Sequence, residues 1–254
     1  MLKKKELKEF LDDKADYYQS RWFIDADPVQ IPHLFQTKED IEIAGFLTAT
    51  LSWGKRSMIL SKCRDLMSRM DMAPCDFVCN ASGADFDRLL GFVYRTFNDV
   101  DARYFLKALQ HIYLDHGGLE KVFVEGYRSN GMVGAIDYFR ELFFSFSPSP
   151  RTEKHVANVA KNASAKRINM FLRWMVRRDS PVDFGIWSRM DPARLLIPLD
   201  VHVARVARSL GLLSRKSNDL KSVIELTEQL KAFRPQDPVF YDYALFGLGI
   251  YEKF

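Results

Sequence analysis

The stretch LLIPLDVHVARV, residues 195–206, changes character in its middle. An apolar run that contains Pro198 ends at the carboxylate of Asp200, and apolar residues at helical spacing follow over 204–212. An aspartate directly before a helix accepts hydrogen bonds from the free amides of the first turn. Such a carboxylate stays charged and points in a fixed direction, which also suits an acid–base group. We therefore expect Asp200 to cap this helix, and the cap is compatible with a catalytic role.

Helical periodicity dominates the rest of the chain. Apolar residues recur at spacings of three and four, and no alternation longer than about four residues predicts a strand. Asp237 followed by Pro238 is typical of a helix cap and the first helical residue. The predicted fold class is all-α. The predicted helical segments are 38–53, 101–117, 132–146, 165–178, 204–212, 218–233 and 236–249.

One break in composition divides the sequence. The segment SFSPSPRTEK at 145–154 alternates serine with proline, and the chain becomes more basic after it. Serine and proline clusters between helical segments favour a loop. We expect residues 1–254 to form one compact unit of two helical lobes with a cleft between them. The boundary is expected near 145–154, and the C-terminal lobe would carry the site.

Positive charge is concentrated after this break. The chain has 37 basic and 33 acidic residues in all, but residues 151–216 have 14 basic and five acidic ones. A local excess of this kind is typical of a surface that binds a polyanion such as nucleic acid. A basic face that contacts only solvent would have the same composition. Charge alone leaves both interpretations open.

Composition also argues against several classes of protein. No run of about 18 apolar residues occurs, and the N-terminal segment carries charges throughout, so neither a membrane span nor a secretory signal is predicted. Three cysteines without a signal fit a reducing cytoplasm, where we expect the protein to be located. Cys75 and Cys79 lack the second pair that a zinc site needs, and His111 and Asp115 lack a third ligand. We predict no metal site.

Lys166 opens the predicted helix over 165–178. The first turn of a helix carries the positive end of the helix dipole, and Arg167 adds a second positive charge. Both effects are expected to lower the pKa of Lys166. A neutral lysine can attack an electrophilic carbon and form a Schiff base. The alternative is a solvated lysine that begins a helix and has no chemical role.

The same helix is amphipathic. Its apolar residues lie on one side, so we expect that side to be buried and the other side to offer a line of cations to a ligand. At 100° per residue the second side carries Lys166, Asn169, Arg173 and Arg177.

Three segments together resemble a known superfamily. They are AKRINMFLRWMVRR at 165–178, IPLDVHVARVARSLGL at 197–212 and DPVFYDYALFGLG at 237–249. They are similar to the helix-hairpin-helix (HhH-GPD) DNA glycosylases, and more closely to an uncharacterised bacterial family allied to them. The first similarity is specific over roughly 155–250, whereas the second covers most of the chain.

The resemblance implies roles for particular residues. In these glycosylases a hairpin precedes a helix whose early lysine attacks the sugar C1′, and an aspartate that caps a later helix faces that lysine. Lys166 and Asp200 match the two positions, and His202 completes the PLDVH segment. The two residues are 34 positions apart, a spacing closer to that of archaeal 8-oxoguanine glycosylases than to that of the commonest members.

The sequence also departs from the superfamily pattern. The usual hairpin contains glycines that let backbone amides approach a phosphate, but ANVAKNASAKR at 157–167 contains none. Asn162 is the residue there that can adopt a left-handed conformation. No four-cysteine cluster occurs, so we expect neither an iron–sulfur cluster nor another cofactor.

The function implied by the resemblance is that of a DNA repair glycosylase with AP-lyase activity on a two-lobed helix-hairpin-helix fold. Two alternatives remain open: a non-catalytic nucleic-acid-binding protein of the same fold, and a helical protein that binds another acidic ligand. Trp53, Trp174 and Phe46 are candidates for the aromatic wall of a flipped base, and Asn169 is expected to support the site. The residues expected to contact DNA are Lys154, Lys161, Arg167, Arg173, Arg177, Lys55 and Arg56.

Overall fold

The computed structural model describes residues 3–146 and 148–254. The chain is 65% helical and 2% strand, so the predicted all-α class is confirmed. No helix among these residues is both long enough and apolar enough to cross a membrane.

The helices are joined by connections of very different length, from two residues at 19–20 to 24 residues at 177–200. A two-residue β-hairpin, β1 (Val93–Tyr94) paired antiparallel with β2 (Phe97–Asn98), lies between the fifth and sixth helices. The helices are α1 (Lys4–Tyr18), α2 (Arg21–Ala26), α3 (Lys38–Leu51), α4 (Arg56–Arg69), α5 (Pro74–Asn80), α6 (Asp99–Asp115), α7 (Leu119–Phe143), α8 (Pro150–Glu153), α9 (Lys166–Val176), α10 (Val201–Ser209), α11 (Leu220–Lys231) and α12 (Tyr241–Ile250).

The chain divides into two compact units. The terminal unit consists of the described residues up to Ala26 together with Asn158–Phe254. The central unit is the continuous segment Asp27–Ala157. The terminal unit is therefore built from both ends of the chain, and it contains α9, α10 and the candidate catalytic residues.

Helix α12 is the centre of the terminal unit and packs against both α1 and α10. Apart from Asp242 its residues are apolar or aromatic, and it is almost entirely buried, as expected of a helix surrounded by others. Two glycines allow its neighbours to approach closely. A Cβ built on Gly247 would lie 2.2 Å from the ring of Tyr18 in α1, and one on Gly249 would lie 3.0 Å from the Cβ of His202 in α10.

The contact at Gly247 gives the first prediction. We expect Gly247→Ala to destabilise the protein by about 1–3 kcal/mol because the added methyl group overpacks a site that cannot expand. The ring of Tyr18 is stacked on Tyr251, and its hydroxyl donates to Glu252 at 2.7 Å, so the ring is held in place. Thermal unfolding of the full chain measures the effect. Gly83→Ala is the control, because a Cβ at Gly83 meets nothing within 4 Å, and an equal loss of Tm in both variants would contradict the prediction.

The central unit is organised around α3, whose residues from Ile41 to Leu51 are all buried. Its side chains meet an aromatic cluster in which Phe46 contacts Phe105, Phe139 and Phe143. The helix is capped by Thr37, whose hydroxyl accepts from the amide of Asp40. The unit therefore has its own hydrophobic core.

Candidate active site

Asp200 is the N-cap of α10. Its backbone is extended, and its Oδ1 accepts hydrogen bonds from the amides of His202 and Val203, both at 2.9 Å. The predicted cap is thus confirmed. Because one oxygen satisfies both amides, the second oxygen, Oδ2, is free to face another group.

That group is Lys166, the first residue of α9. Its Nζ lies 3.5 Å from Oδ2 of Asp200, and the two side chains are 27% and 18% exposed. Two helices therefore begin at the same place, one with an amine and the other with a carboxylate. Both side chains are therefore partly buried and partly open to solvent.

The segment at 157–167, which corresponds to the predicted hairpin, sets the position of Lys166. A 3-10 turn at Val159–Lys161 is capped by Asn158, whose side chain accepts from the amide of Lys161 at 3.1 Å. Asn162 follows in a left-handed conformation with φ 61°, as predicted for this glycine-free hairpin. Asparagine adopts this conformation more readily than most residues, so it can replace a glycine here.

The hairpin is also tied to the start of α11. The amide of Leu220 donates to the carbonyl of Asn162 at 3.0 Å, and Ala163 forms an antiparallel bridge with Asp219. Ala165, directly before α9, is in the left-handed region with φ 49°, which is strained for a residue with a side chain. The surrounding contacts thus hold the backbone that leads into Lys166 in a fixed conformation.

The face of α9 that was expected to offer cations to a ligand is instead buried. Arg173 and Arg177 are 4% and 2% exposed. Arg173 pairs with Asp183 at 3.2 Å and with Asp242, while Arg177 pairs with Asp183 at 2.8 Å and with Asp237 at 2.9 Å. The prediction that these two arginines contact DNA phosphates is wrong, because buried carboxylates already occupy them.

Asn169 and His202 follow Lys166 and Asp200 on α9 and α10. The side-chain amide of Asn169 donates to the carbonyl of Ser164 at 3.1 Å and so ties the hairpin to α9. The Oδ1 of Asn169 and the Nδ1 of His202 are buried and have no hydrogen-bond partner among the described residues. Asn169 is thus linked to the segment before Lys166, and His202 to Asp200 through its backbone amide.

Asp242 is an acid that the sequence analysis missed. It lies on the buried helix α12, and burial raises its pKa to about 6. The carboxylate of Asp200 raises this pKa further, while Arg173 and Lys166 lower it. The pKa of Asp242 therefore depends on the charges of Lys166 and Asp200. A signal was present, since an aspartate inside the apolar segment YDYALFGLG has to be buried with a partner.

The raised pKa of Asp242 predicts a pH dependence of stability. The folded state keeps a proton on Asp242 up to about pH 6, whereas an ordinary aspartate loses it near 3.8. This contribution to the free energy of unfolding is therefore present below pH 4 and is lost as the pH rises to about 6, by up to about 3 kcal/mol. Asp242→Asn should lack this loss. Between pH 4 and 6.5, the free energy of unfolding measured in urea should therefore rise in the variant relative to the wild type. Parallel curves would contradict this, and Asp16→Asn, at an exposed position, is the control.

The remaining predicted DNA contacts fall in both units. In the terminal unit Lys161 is exposed, whereas Arg167 is half-buried and burial lowers its pKa. In the central unit Lys55 and Lys154 are exposed and Arg56 is half-buried. Near Lys166 and Asp200, Lys161 and Arg167 are thus the predicted cations that solvent reaches.

The aromatic candidates differ from one another. Trp174 and Phe46 are fully buried core residues, so the prediction that they form the wall of a base pocket is wrong. Trp53 is half-buried, and the guanidinium of Arg95 lies 4.4 Å from the centroid of its ring. Its ring is therefore already stacked with a cation.

The described residues contain no group of three or more histidine, cysteine or acidic side chains arranged to hold a metal ion. The sulfur atoms of Cys75 and Cys79 lie 4.0 Å apart on α5. His111 donates to or accepts from Asp115 at 2.6 Å and contacts His116 at 3.0 Å. Cys75 thus contacts Cys79, and His111 contacts both Asp115 and His116.

A family model described as a protein of unknown function (DUF2400) matches residues 27–251. The chain belongs to this family. The DUF2400 match includes Lys166, Asp200 and Asp242, and it confirms the predicted resemblance to an uncharacterised family. Neither a search of the curated proteins nor a search of the solved structures found a match.

Proposed function

We propose that this protein is a DNA glycosylase with AP-lyase activity, in which Lys166 is the nucleophile and Asp200 its acid–base partner. The observation that carries the proposal is the 3.5 Å separation of Lys166 Nζ and Asp200 Oδ2 at the starts of two helices. An amine beside a rigid carboxylate, both partly open to solvent, is the arrangement that Schiff-base chemistry requires.

The reaction begins with a proton transfer. Oδ2 of Asp200 accepts a proton from the Lys166 ammonium once the pair draws to hydrogen-bond distance. The neutral amine attacks C1′ of a nucleotide that has left the base stack. The C1′–N bond to the base breaks, the base leaves with the electron pair, and Asp200 returns the proton to it. Once Asp200 has given up this proton, its carboxylate stabilises the positive charge that remains on the sugar.

The second half of the reaction breaks the DNA strand. The nitrogen now bonded to C1′ passes a proton through Asp200 to the ring oxygen, the C1′–O bond breaks, and a protonated Schiff base between C1′ and Lys166 remains. The carboxylate of Asp200 then removes a proton from C2′, and the C3′–O bond breaks as the 3′ phosphate departs. Water finally hydrolyses the Schiff base, and the free lysine is restored.

The charges around the pair suit a DNA substrate. Lys161 and Arg167 flank Lys166 on the hairpin and on the first turn of α9, where they can neutralise phosphates. Arg173 and Arg177 act differently: their ion pairs with buried acids fix α9 and so fix the direction of Lys166. Arg173 and Arg177 thus hold the scaffold, whereas Lys161 is exposed before the helix and Arg167 is half-buried in its first turn.

Borohydride trapping tests the proposal. The full chain is incubated with a duplex that contains one abasic site, and borohydride reduces any Schiff base to a stable bond. We expect an adduct with the summed mass of protein and DNA, and none with an intact duplex. A panel of duplexes with single damaged or mispaired bases then identifies the base that is released.

Two negative results have different meanings. Salt-dependent DNA binding without an adduct would leave a nucleic-acid-binding protein that has no chemistry at Lys166. Absence of DNA affinity would leave a helical protein that binds another acidic ligand. Either result would overturn the proposed activity.

A further inference from the structure

Arg95 occupies an unusual position in the central unit. It lies at the tip of the hairpin between β1 and β2, where the turn consists of Arg95 and Thr96 alone. Its backbone is in the left-handed region with φ 55°, a conformation that most residues with side chains avoid. The side chain is exposed. The turn thus holds a strained residue whose direction is set by its backbone.

The side chain of Arg95 is held in place by its neighbours. Its guanidinium carbon lies 4.4 Å from the centroid of the Trp53 ring, a cation–π contact. The hydroxyl of Tyr94 donates to the carbonyl of Trp53, which ties the hairpin to the segment after α3. Gly54 leaves the space that this requires, since a Cβ there would lie 2.8 Å from both Arg95 Nη1 and the Tyr94 hydroxyl.

Arg95 is positioned without a carboxylate. Five other arginines of the central unit form ion pairs with acidic side chains. Among the residues that the structure describes, Arg95 and the neighbouring Lys55 have no such partner. Two cations without an acidic partner therefore adjoin Gly54, and one of them, Arg95, contacts the Trp53 ring. The five paired arginines are Arg69, Arg88, Arg103, Arg140 and Arg151.

We propose that Arg95, stacked on Trp53 and assisted by Lys55, binds a phosphate of the nucleic-acid backbone. A guanidinium held over an indole ring still offers several N–H donors, and two of them can match two phosphate oxygens. Because Trp53 and Gly54 hold the group, little side-chain entropy is lost on binding. This inference rests on the proposed function and adds a contact in the central unit.

DNA binding at a series of salt concentrations tests the role of Arg95. The probe is a labelled duplex with a tetrahydrofuran abasic analogue, which binds but does not form a Schiff base. We expect Arg95→Gln to weaken binding about three- to tenfold and to reduce the slope of log affinity against log salt by about 1. Arg95→Lys should keep the slope and weaken binding less, because the charge remains but the stacked, two-pronged contact is lost.

Arg128→Gln is the matched control, because Arg128 is an exposed arginine on α7 of the same unit. It should bind within about twofold of the wild type with an unchanged slope. Equal behaviour of Arg95→Gln and Arg128→Gln would overturn the inference while leaving the trapping reaction of Lys166 intact. If the wild type has no affinity for the duplex, both the inference and the proposed function are overturned. Should Arg95→Gln not fold, Arg95→Lys alone decides, since wild-type affinity in that variant would also exclude the stacked contact.

Discussion

Replacing Lys166 with alanine should reduce the yield of borohydride-trapped adduct on abasic DNA by on the order of 10³-fold or more. In the proposed mechanism the amine nitrogen of Lys166 forms the bond to C1′. Its loss leaves no nucleophile at the start of α9. The helix itself should persist, because Lys166 is 27% exposed and alanine favours helices. Adduct yield after a fixed incubation, measured on denaturing gels, checks the expectation, and thermal unfolding checks that the variant is folded.

Two variants define what the loss means. Lys161→Ala removes an exposed lysine from the adjacent turn and should retain the adduct, since that lysine is expected only to contact DNA. Asp200→Asn keeps an oxygen for the amides of His202 and Val203 but removes the charge that Lys166 faces, so it should slow trapping without loss of stability. An undiminished adduct in Lys166→Ala would mean that a different amine reacts, and the proposed mechanism would be wrong.

Replacing Asp183 with alanine should lower the free energy of unfolding by about 3–5 kcal/mol, the cost of removing one partner from a buried ion pair. The carboxylate of Asp183 pairs with Arg173 and Arg177 and accepts a hydrogen bond from the hydroxyl of Tyr243 at 2.8 Å. Alanine would leave two buried guanidinium groups with one acidic partner each and a buried hydroxyl without its acceptor. Urea unfolding of the full chain measures the change.

Hydrogen exchange locates this effect. The amides of α9 should exchange faster in Asp183→Ala, because Arg173 and Arg177 anchor that helix. Glu9→Ala is the control: Glu9 pairs with Lys5 at 3.9 Å on the surface of α1, where such pairs contribute about 0–1 kcal/mol. A change below about 1 kcal/mol for Asp183→Ala would mean that the buried network does not stabilise the fold.

Local patterns predicted the helices because they depend on residues three and four apart. The segments 38–53, 165–178 and 218–233 correspond to α3, α9 and α11 with differences of at most two residues at their ends. The cap at Asp200 was predictable for the same reason. Its pairing with Lys166 was not a local signal, and it was expected only through the resemblance of three separate segments to a known superfamily.

The environment of Arg173 and Arg177 could not be predicted from α9 alone. Periodicity places both arginines on the polar face, but it does not say whether water or another part of the chain covers that face. Their partners Asp183, Asp237 and Asp242 come from three later segments. Asp237 was expected to cap a helix, yet its carboxylate binds Arg177 and makes no capping hydrogen bond. Which of several possible partners an aspartate takes is decided by the tertiary fold.

The N-terminal helix illustrates the same limit. Its buried residues lie at helical spacing, but nothing in them identifies α12, more than 200 residues away, as the surface it covers. The two helices fit together because Gly247 has no side chain where the ring of Tyr18 lies. This contact can be recognised only once both helices are placed in the fold.

The division of labour between the two oxygens of Asp200 has a consequence for relatives of this protein. Serine, threonine or asparagine at this position would still start α10, because each can accept the same amide hydrogen bonds. None of them would carry the negative charge that faces the amine. A homologue with such a residue should therefore keep the architecture and lose the turnover. Under the proposed mechanism, the residue at this single position would then distinguish active from inactive members of the family that share the same fold.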